Sequence, residues 1–574
     1  MMALVSNPVL PGFHPDPSII RVGDTYYLAN STFEWYPGVE LHRSKDLANW
    51  EPLPSPLSEK RLLDMAGNPA SCGIWAPCLS YDKGLFWLIY TNVRSWNAGP
   101  WKDAPNFLTT APSIEGPWSD PVFLNASGFD PSFFHDDDGR KWLVNMEWDY
   151  RKKDPPGPFT GILLQEYSPA EKRLTGDAWK IFTGTELKRT EGPHLYKRNG
   201  WYYLLVAEGG TQYGHAASVA RSRSIEGPYE VHPANPLLTS YNWPGHPLQK
   251  AGHASWCETP DGRTYLAFLC GRPLSGTRNC VLGRETGIAE LDWRDGWPYL
   301  KYAPETRQKD EELWGASIPN YPPLAFEPPV PLASPPEPYS KAKRYVFDGG
   351  SLDLDFKTLR NPAYPAMYSL TARAGFLRLR GGQSPVSLFQ QTLLARRQTD
   401  FSFSAETYME FAPKSFQELA GLCWRYDENN QYLLAVSHDE RKGRVLSVQT
   451  MIGEEYSKTE DTDANSTDNG SGGDSHCLHC RGIWLGLTVR EHTGRFRYSL
   501  DGKTWVVLRP VLDAAVLSDE YFCEGFTGAF IGIFCADTAR YAACADFAYF
   551  AYTPENGELA ESEGTPNAKK GAIP

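Results

Sequence analysis

Five times in the first half of the chain a turn signal runs into aromatic residues and a leucine. The segments are Gly23-Asp24-Thr25-Tyr26-Tyr27-Leu28, Lys83-Gly84-Leu85-Phe86-Trp87-Leu88, Asp138-Gly139-Arg140-Lys141-Trp142-Leu143, Asn199-Gly200-Trp201-Tyr202-Tyr203-Leu204 and Asp261-Gly262-Arg263-Thr264-Tyr265-Leu266. Asp or Asn followed by Gly ahead of such a run is hairpin chemistry, because the tight turn needs backbone conformations that these residues tolerate. The leucines stand 60, 55, 61 and 62 residues apart, and no apolar stripe at helical spacing is sustained between them. Near-equal steps of this length in an all-β pattern predict five blades of a propeller over residues 1–318. Outer elements repeat as well: Ser113-Ile114-Glu115-Gly116-Pro117-Trp118 returns as Ser224-Ile225-Glu226-Gly227-Pro228-Tyr229, 111 residues later.

The pattern changes after a stretch with nine prolines in the twenty residues from Pro319 to Pro338. That composition favours extended, semi-rigid chain over packed structure and marks a linker over 319–340. Beyond it, alternating stretches such as Phe401-Ser402-Phe403-Ser404-Ala405 and Phe496-Arg497-Tyr498-Ser499-Leu500 recur without the propeller period. Many short strands of this kind predict a β-sandwich over 341–553. Glu454 to Ser475 is rich in Asp, Ser, Asn and Gly and reads as a disordered loop, as does the tail 554–574.

Composition narrows the chemistry. The 574 residues include 19 Trp, 30 Tyr and 27 Phe, side chains whose faces stack on sugars. A net charge of -13 argues against nucleic acid as a partner. No basic leader with an apolar core opens the sequence, and no apolar run has membrane length, so an intracellular, cytoplasmic protein with no membrane partner is expected. The 11 cysteines are scattered, as for reduced thiols. His476-Cys477-Leu478-His479-Cys480 has the look of a metal clip but lacks a second pair at finger spacing.

Counting back from the repeated leucines brings out the candidate site. Twelve residues before Leu28 is Asp16; thirteen before the other four lie Trp75, Asp130, Glu191 and His253. In a propeller the innermost strands run along the central axis, so positions in phase near their starts converge on one spot. Three carboxylates in one pocket suit hydrolysis of a glycosidic bond: an ionised one takes a proton from water, a protonated one donates to the leaving oxygen. The third raises the acid's pKa by like-charge repulsion.

These segments carry a resemblance. His14-Pro15-Asp16-Pro17-Ser18, Gly128-Phe129-Asp130-Pro131-Ser132 and Thr190-Glu191-Gly192-Pro193-His194 resemble the signature segments of glycoside hydrolase family 43. With Phe33-Glu34-Trp35-Tyr36-Pro37-Gly38, Gly73-Ile74-Trp75-Ala76-Pro77, Gly252-His253-Ala254-Ser255 and Leu282-Gly283-Arg284-Glu285-Thr286, the match is to its two-domain β-xylosidases, over nearly the whole chain to about residue 553. The polar loop around 455–480 has no counterpart.

The resemblance implies a five-bladed propeller followed by a β-sandwich and an inverting, exo-acting enzyme that releases xylose from the non-reducing end of xylo-oligosaccharides. α-L-Arabinofuranosidase activity is expected as a second or, alternatively, the main activity. Asp16 would be the general base, Glu191 the general acid and Asp130 the carboxylate tuning Glu191. Arg284 would hydrogen-bond the sugar, His253 would sit at the floor of the axis, and Phe33 and Trp75 would wall the terminal-sugar subsite. A phenylalanine from the sandwich closes the pocket in the family; Phe526 is the expected residue, with Phe530 the alternative. No cofactor is required, although some relatives hold a divalent cation near the axial histidine, here His253. A homo-oligomer is expected by the same resemblance. A non-catalytic sugar-binding propeller would have no need of acid, base and tuning carboxylate in phase. A retaining fructan hydrolase would need Asn-Asp-Pro, Arg-Asp-Pro and Glu-Cys segments that are missing.

Overall fold

The structure, a computed structural model, describes residues 4–555 except 97–98, 156, 303–319, 333–335, 337–338, 340, 363–364, 366, 454, 461–481 and 522–524. Its only helical element among the described residues is a single 3-10 turn, Ala514–Leu517; the rest is strand and connection.

Four four-stranded sheets and one five-stranded sheet form the five blades. Each blade is an antiparallel meander; the first runs Ser18–Val22, Thr25–Asn30, Glu40–Ser44 and Glu51–Leu53 from axis to rim. The repeated leucines 28, 88, 143, 204 and 266 all lie on second strands and are at most 1% exposed, pinned between neighbouring blades. The innermost strands touch in a ring, and contact between Ser18–Val22 and Gln249–Glu258 closes it. Asn7 reinforces the closure: its side chain donates to the Ile288 and Pro323 carbonyls, and its Oδ1 accepts from the Ile288 amide.

The proline-rich connection is more tightly held than its composition suggests. Ala325–Phe326 pairs with Val5–Ser6, and Tyr321 and Phe326 are buried. Proline removes donors, but the intervening residues still offer an edge that the N-terminal segment uses.

In the sandwich, alternation sets the faces. Along Ser402–Glu410 every second residue is buried, and Phe403, Ala405 and Met409 point into the core between a nine-stranded and a six-stranded sheet. The six-stranded sheet is apolar on both faces. Leu422 and Trp424 enter the sandwich core, whereas Cys423 points the other way and, with Leu393, Phe530 and Phe534, joins a cluster containing Phe13, Phe33, Trp35 and Trp75 of the propeller. A face that would meet water in a free-standing sandwich thus lies on the mouth of the propeller. Across the same interface Thr358–Leu359 pairs with Trp35–Tyr36, and Arg397 forks onto Glu40. Glu455–Glu460, expected within a disordered loop, is a strand paired with Gly443–Ile452; the remainder of that loop, its His/Cys segment and the tail after Glu555 lie outside the described residues.

Candidate active site

The five positions in phase meet at the axis, and backbone geometry explains how. Asp16 (φ 52°), Asp130 (φ 54°) and His253 (φ 23°) adopt left-handed conformations at the starts or bulges of inner strands, as do Ala76 (φ 38°) and Gly192 (φ 55°), which follow Trp75 and Glu191. The ladders of these strands skip between Trp75 and Cys78, Glu191 and His194, and Gly252 and Ala254. Such bulges turn a side chain out of the pleat and aim it elsewhere, here into the axial funnel. The kink falls on Asp16, Asp130 and His253 themselves, so the shorter count to Leu28 comes from the hairpin: Ile19 pairs with Leu28 nine residues on, whereas Phe133 pairs with Leu143 and Trp256 with Leu266 ten residues on.

Asp16 is 7% exposed. Ser31 Oγ donates to its Oδ2 at 2.7 Å and accepts the Ala76 amide at 2.7 Å. His253 Nδ1 stands 3.3 Å from Asp16 Oδ1, and Arg284 Nη1 3.8 Å from the same oxygen. Burial alone would raise its pKa, but the Arg284 charge and the His253 and Ser31 hydrogen bonds together hold it far below the ordinary carboxylate range.

The other two carboxyls go the opposite way. Burial first, then the neighbouring Asp130 charge, pushes Glu191 up to about 8. Burial and the Asp16 charge push Asp130 up to about 6, against the pull of His253 and of the Gly192 amide that donates to it. One carboxylate is therefore kept ionised and another protonated near neutral pH, in one pocket. His253, raised by its contact with Asp16 despite burial, also lies against the backbone after Glu191: a Cβ placed on Gly192 would lie 2.8 Å from Nε2, so only glycine lets this backbone pass the ring. The imidazole thus separates Asp16 from the backbone that carries Glu191.

These groups line a cavity of about 880 Å³ whose wall comes from both domains. Phe526, half-buried, packs its ring 5.3 Å from Trp75, 5.9 Å from Phe33 and 4.5 Å from Trp96. Arg284 Nη2 donates to the Phe526 carbonyl at 2.7 Å. The loop can come this close because Gly528 has no side chain: a Cβ there would lie 2.7 Å from the Leu282 carbonyl oxygen. Phe530, the alternative, is fully buried and stacks on Trp35 with centroids 3.7 Å apart, in the interface rather than the cavity.

Several lining residues escaped the reading of the sequence. Lys102 Nζ lies over four rings, 4.5 Å from Trp148 and 4.9 Å from Trp75, and burial draws its pKa down to about 8. Asp519 and Glu520 of the sandwich line the cavity as well and pair with buried Lys250, Asp519 at 3.6 Å. Glu520 also accepts the Cys280 amide at 2.9 Å.

The donors around His253 do not fit a divalent cation: Nδ1 faces Asp16, Nε2 faces the Gly192 backbone, and Arg284 already brings positive charge to the same carboxylate. Among the described residues one group of three potential ligands is close enough, His14, Glu40 and His42, and there Arg397 and Lys357 already neutralise Glu40. No helix among the described residues is long and apolar enough to cross a membrane.

Comparison with known proteins accounts for both halves. Residues 5–298 match the model of glycosyl hydrolases family 43, and residues 344–553 match the β-xylosidase C-terminal concanavalin A-like domain. A xylosidase/arabinosidase 43B of Humicola insolens is 48% identical over 96% of this chain and 98% of its own length. A β-xylosidase of Bacillus subtilis is 44% identical over 96% and 99% respectively. The crystal structure of a xylan β-1,4-xylosidase from Bacillus halodurans superposes with a TM-score of 0.86 at 46% identity, covering 96% of this chain and all of that one. With its propeller, its sandwich and its axial carboxylates, the chain belongs to glycoside hydrolase family 43 and is a glycosidase.

Proposed function

We propose that the enzyme is an inverting, exo-acting β-xylosidase that takes the non-reducing terminal xylose from β-1,4-xylo-oligosaccharides. The observation that carries this reading is the opposite poise of two carboxyls in one cavity, Asp16 held ionised and Glu191 held protonated. Asp16, oriented by Ser31, removes a proton from water as that water attacks the anomeric carbon. Glu191 gives its proton to the departing glycosidic oxygen. Asp130 keeps the acid protonated by its charge. It also fixes the Glu191 backbone through the Gly192 amide. His253 holds Asp16 away from the backbone that carries Glu191, and inversion needs such a separation, wide enough for a water, between the two carboxyls.

Phe33, Trp75 and Phe526 offer apolar faces for the terminal sugar, and Arg284 offers donors for its hydroxyls. The Phe526 loop caps the cavity, which supports attack on chain ends. Reducing surroundings are proposed with it: all eight cysteines among the described residues are free, and all but Cys544 are buried. An α-L-arabinofuranose presents similar hydroxyls, and the similarity to a relative named xylosidase/arabinosidase favours a second, arabinofuranosidase activity. Initial rates on xylobiose, an aryl β-xyloside and an aryl α-arabinofuranoside test the assignment. Both xylosides should be cleaved, with the arabinofuranoside slower; cleavage of the arabinofuranoside alone would reverse the order of activities.

A further inference from the structure

A ring that walls a sugar subsite must be held within a fraction of an ångström, yet Phe526 is borne by a different domain from the carboxylates it faces. Its peptide is gripped on both sides. Arg284 donates to the carbonyl at 2.7 Å, and the amide donates to Ser71 Oγ at 3.0 Å. Arg284 also faces Asp16, so its grip cannot be separated from the chemistry. Ser71 touches no carboxylate of the triad.

We infer that Ser71 is a positioning residue that sets the aromatic wall of the terminal-sugar subsite, locking Phe526 of the sandwich to Trp75 of the propeller; this rests on the reading of the cavity as that subsite. Ser71 is 2% exposed and has φ 59°, in the left-handed region that a serine adopts only when its surroundings impose it. All three of its polar groups are committed. The carbonyl accepts Trp75 Nε1 at 2.8 Å, the hydroxyl accepts the Phe526 amide, and the Ser71 amide donates to Glu34 Oε2 at 3.0 Å. Glu34 is itself 2% exposed and tied to the sandwich, its backbone carbonyl accepting the Arg360 amide at 2.8 Å. Glu34 also follows Phe33, the third ring of the wall. One residue thus brings two rings from two domains into register, and its support brings in the third. Without the hydroxyl the Phe526 amide has lost its acceptor, and the peptide is held from the Arg284 side alone, so the ring is set less firmly against Trp75.

The test is steady-state kinetics of full-length Ser71→Gly and Ser71→Cys on xylobiose and an aryl β-xyloside. Glycine suits the positive φ and deletes the hydroxyl; cysteine keeps the size but is a poor acceptor, and it carries the test should the glycine variant fail to fold. Loss of this one hydrogen bond should raise KM about 5- to 10-fold on both substrates, leave kcat within about twofold and leave the pH profile in place. Phe526→Ala should raise KM as well, and adding Ser71→Gly (or Ser71→Cys) to it should change nothing further. Unchanged KM in the folded Ser71 variants overturns the inference, and so does an equal rise whether position 526 holds Phe or Ala. Phe526→Ala without any change in KM would instead remove the reading of Phe526 as part of the subsite, and the inference with it.

Discussion

Glu191→Ala is expected to lose about 10²–10⁴-fold in kcat on xylobiose while keeping most of its rate on an aryl β-xyloside with a strongly activated phenolate. The difference follows from what the residue supplies. A xylose leaving group departs as an alkoxide unless it is protonated, whereas the phenolate leaves unaided. Glu191 does this work only while protonated, and burial and the Asp130 charge hold it so up to about pH 8. The wild-type rate on xylobiose should therefore fall as pH rises through that value. In Glu191→Ala the basic limb should vanish for the aryl substrate. Asp130→Ala removes the repelling charge, lowers the Glu191 pKa and moves the wild-type basic limb to lower pH. Measuring kcat across pH on both substrates checks all three expectations. Equal losses on the two substrates would deny Glu191 its role as acid.

Asp16→Ala should behave differently. Every substrate needs its water activated, so kcat should drop by about 10²–10⁴-fold on xylobiose and the aryl xyloside alike. The structure gives the reason for assigning the base here. Asp16 alone of the three carboxyls has its pKa lowered by its surroundings, with Arg284, His253 and Ser31 all turned towards it. Rates on the two substrates in parallel measure this, and a selective loss on xylobiose would mean that acid and base had been exchanged.

Much of this was legible in the chain because the fold repeats itself. The spacing of Leu28, Leu88, Leu143, Leu204 and Leu266 reports five equivalent second strands, each buried between blades, and counting back from them reaches the axis. The count could not show that Trp75 and Glu191 precede a kink that Asp16 and Asp130 occupy, since a bulge changes register without changing residue type. Ser31 and Ser71 left no trace either: a serine that accepts one amide in the interior looks like any other serine. Lys102 was hidden because its cage is assembled from rings on separate strands and loops, Trp75, Trp96, Phe129 and Trp148. Choosing Phe526 over Phe530 needed the backbone. Phe530 begins the strand Phe530–Asp537 and turns into the interface, while Phe526 sits in the loop before it, and the sequence Gly525-Phe526-Thr527-Gly528-Ala529-Phe530 does not say where the strand starts.

Inversion requires water to attack from one face while Glu191 protonates the leaving oxygen on the other, with no covalent sugar on the enzyme between. Proton NMR of xylobiose hydrolysis, recorded before mutarotation mixes the anomers, tests this most directly. Xylose released from the non-reducing end should appear first as the α-anomer. If β-xylose appears first instead, a carboxylate has attacked the sugar, and the assignment of Asp16 as a base acting through water is contradicted.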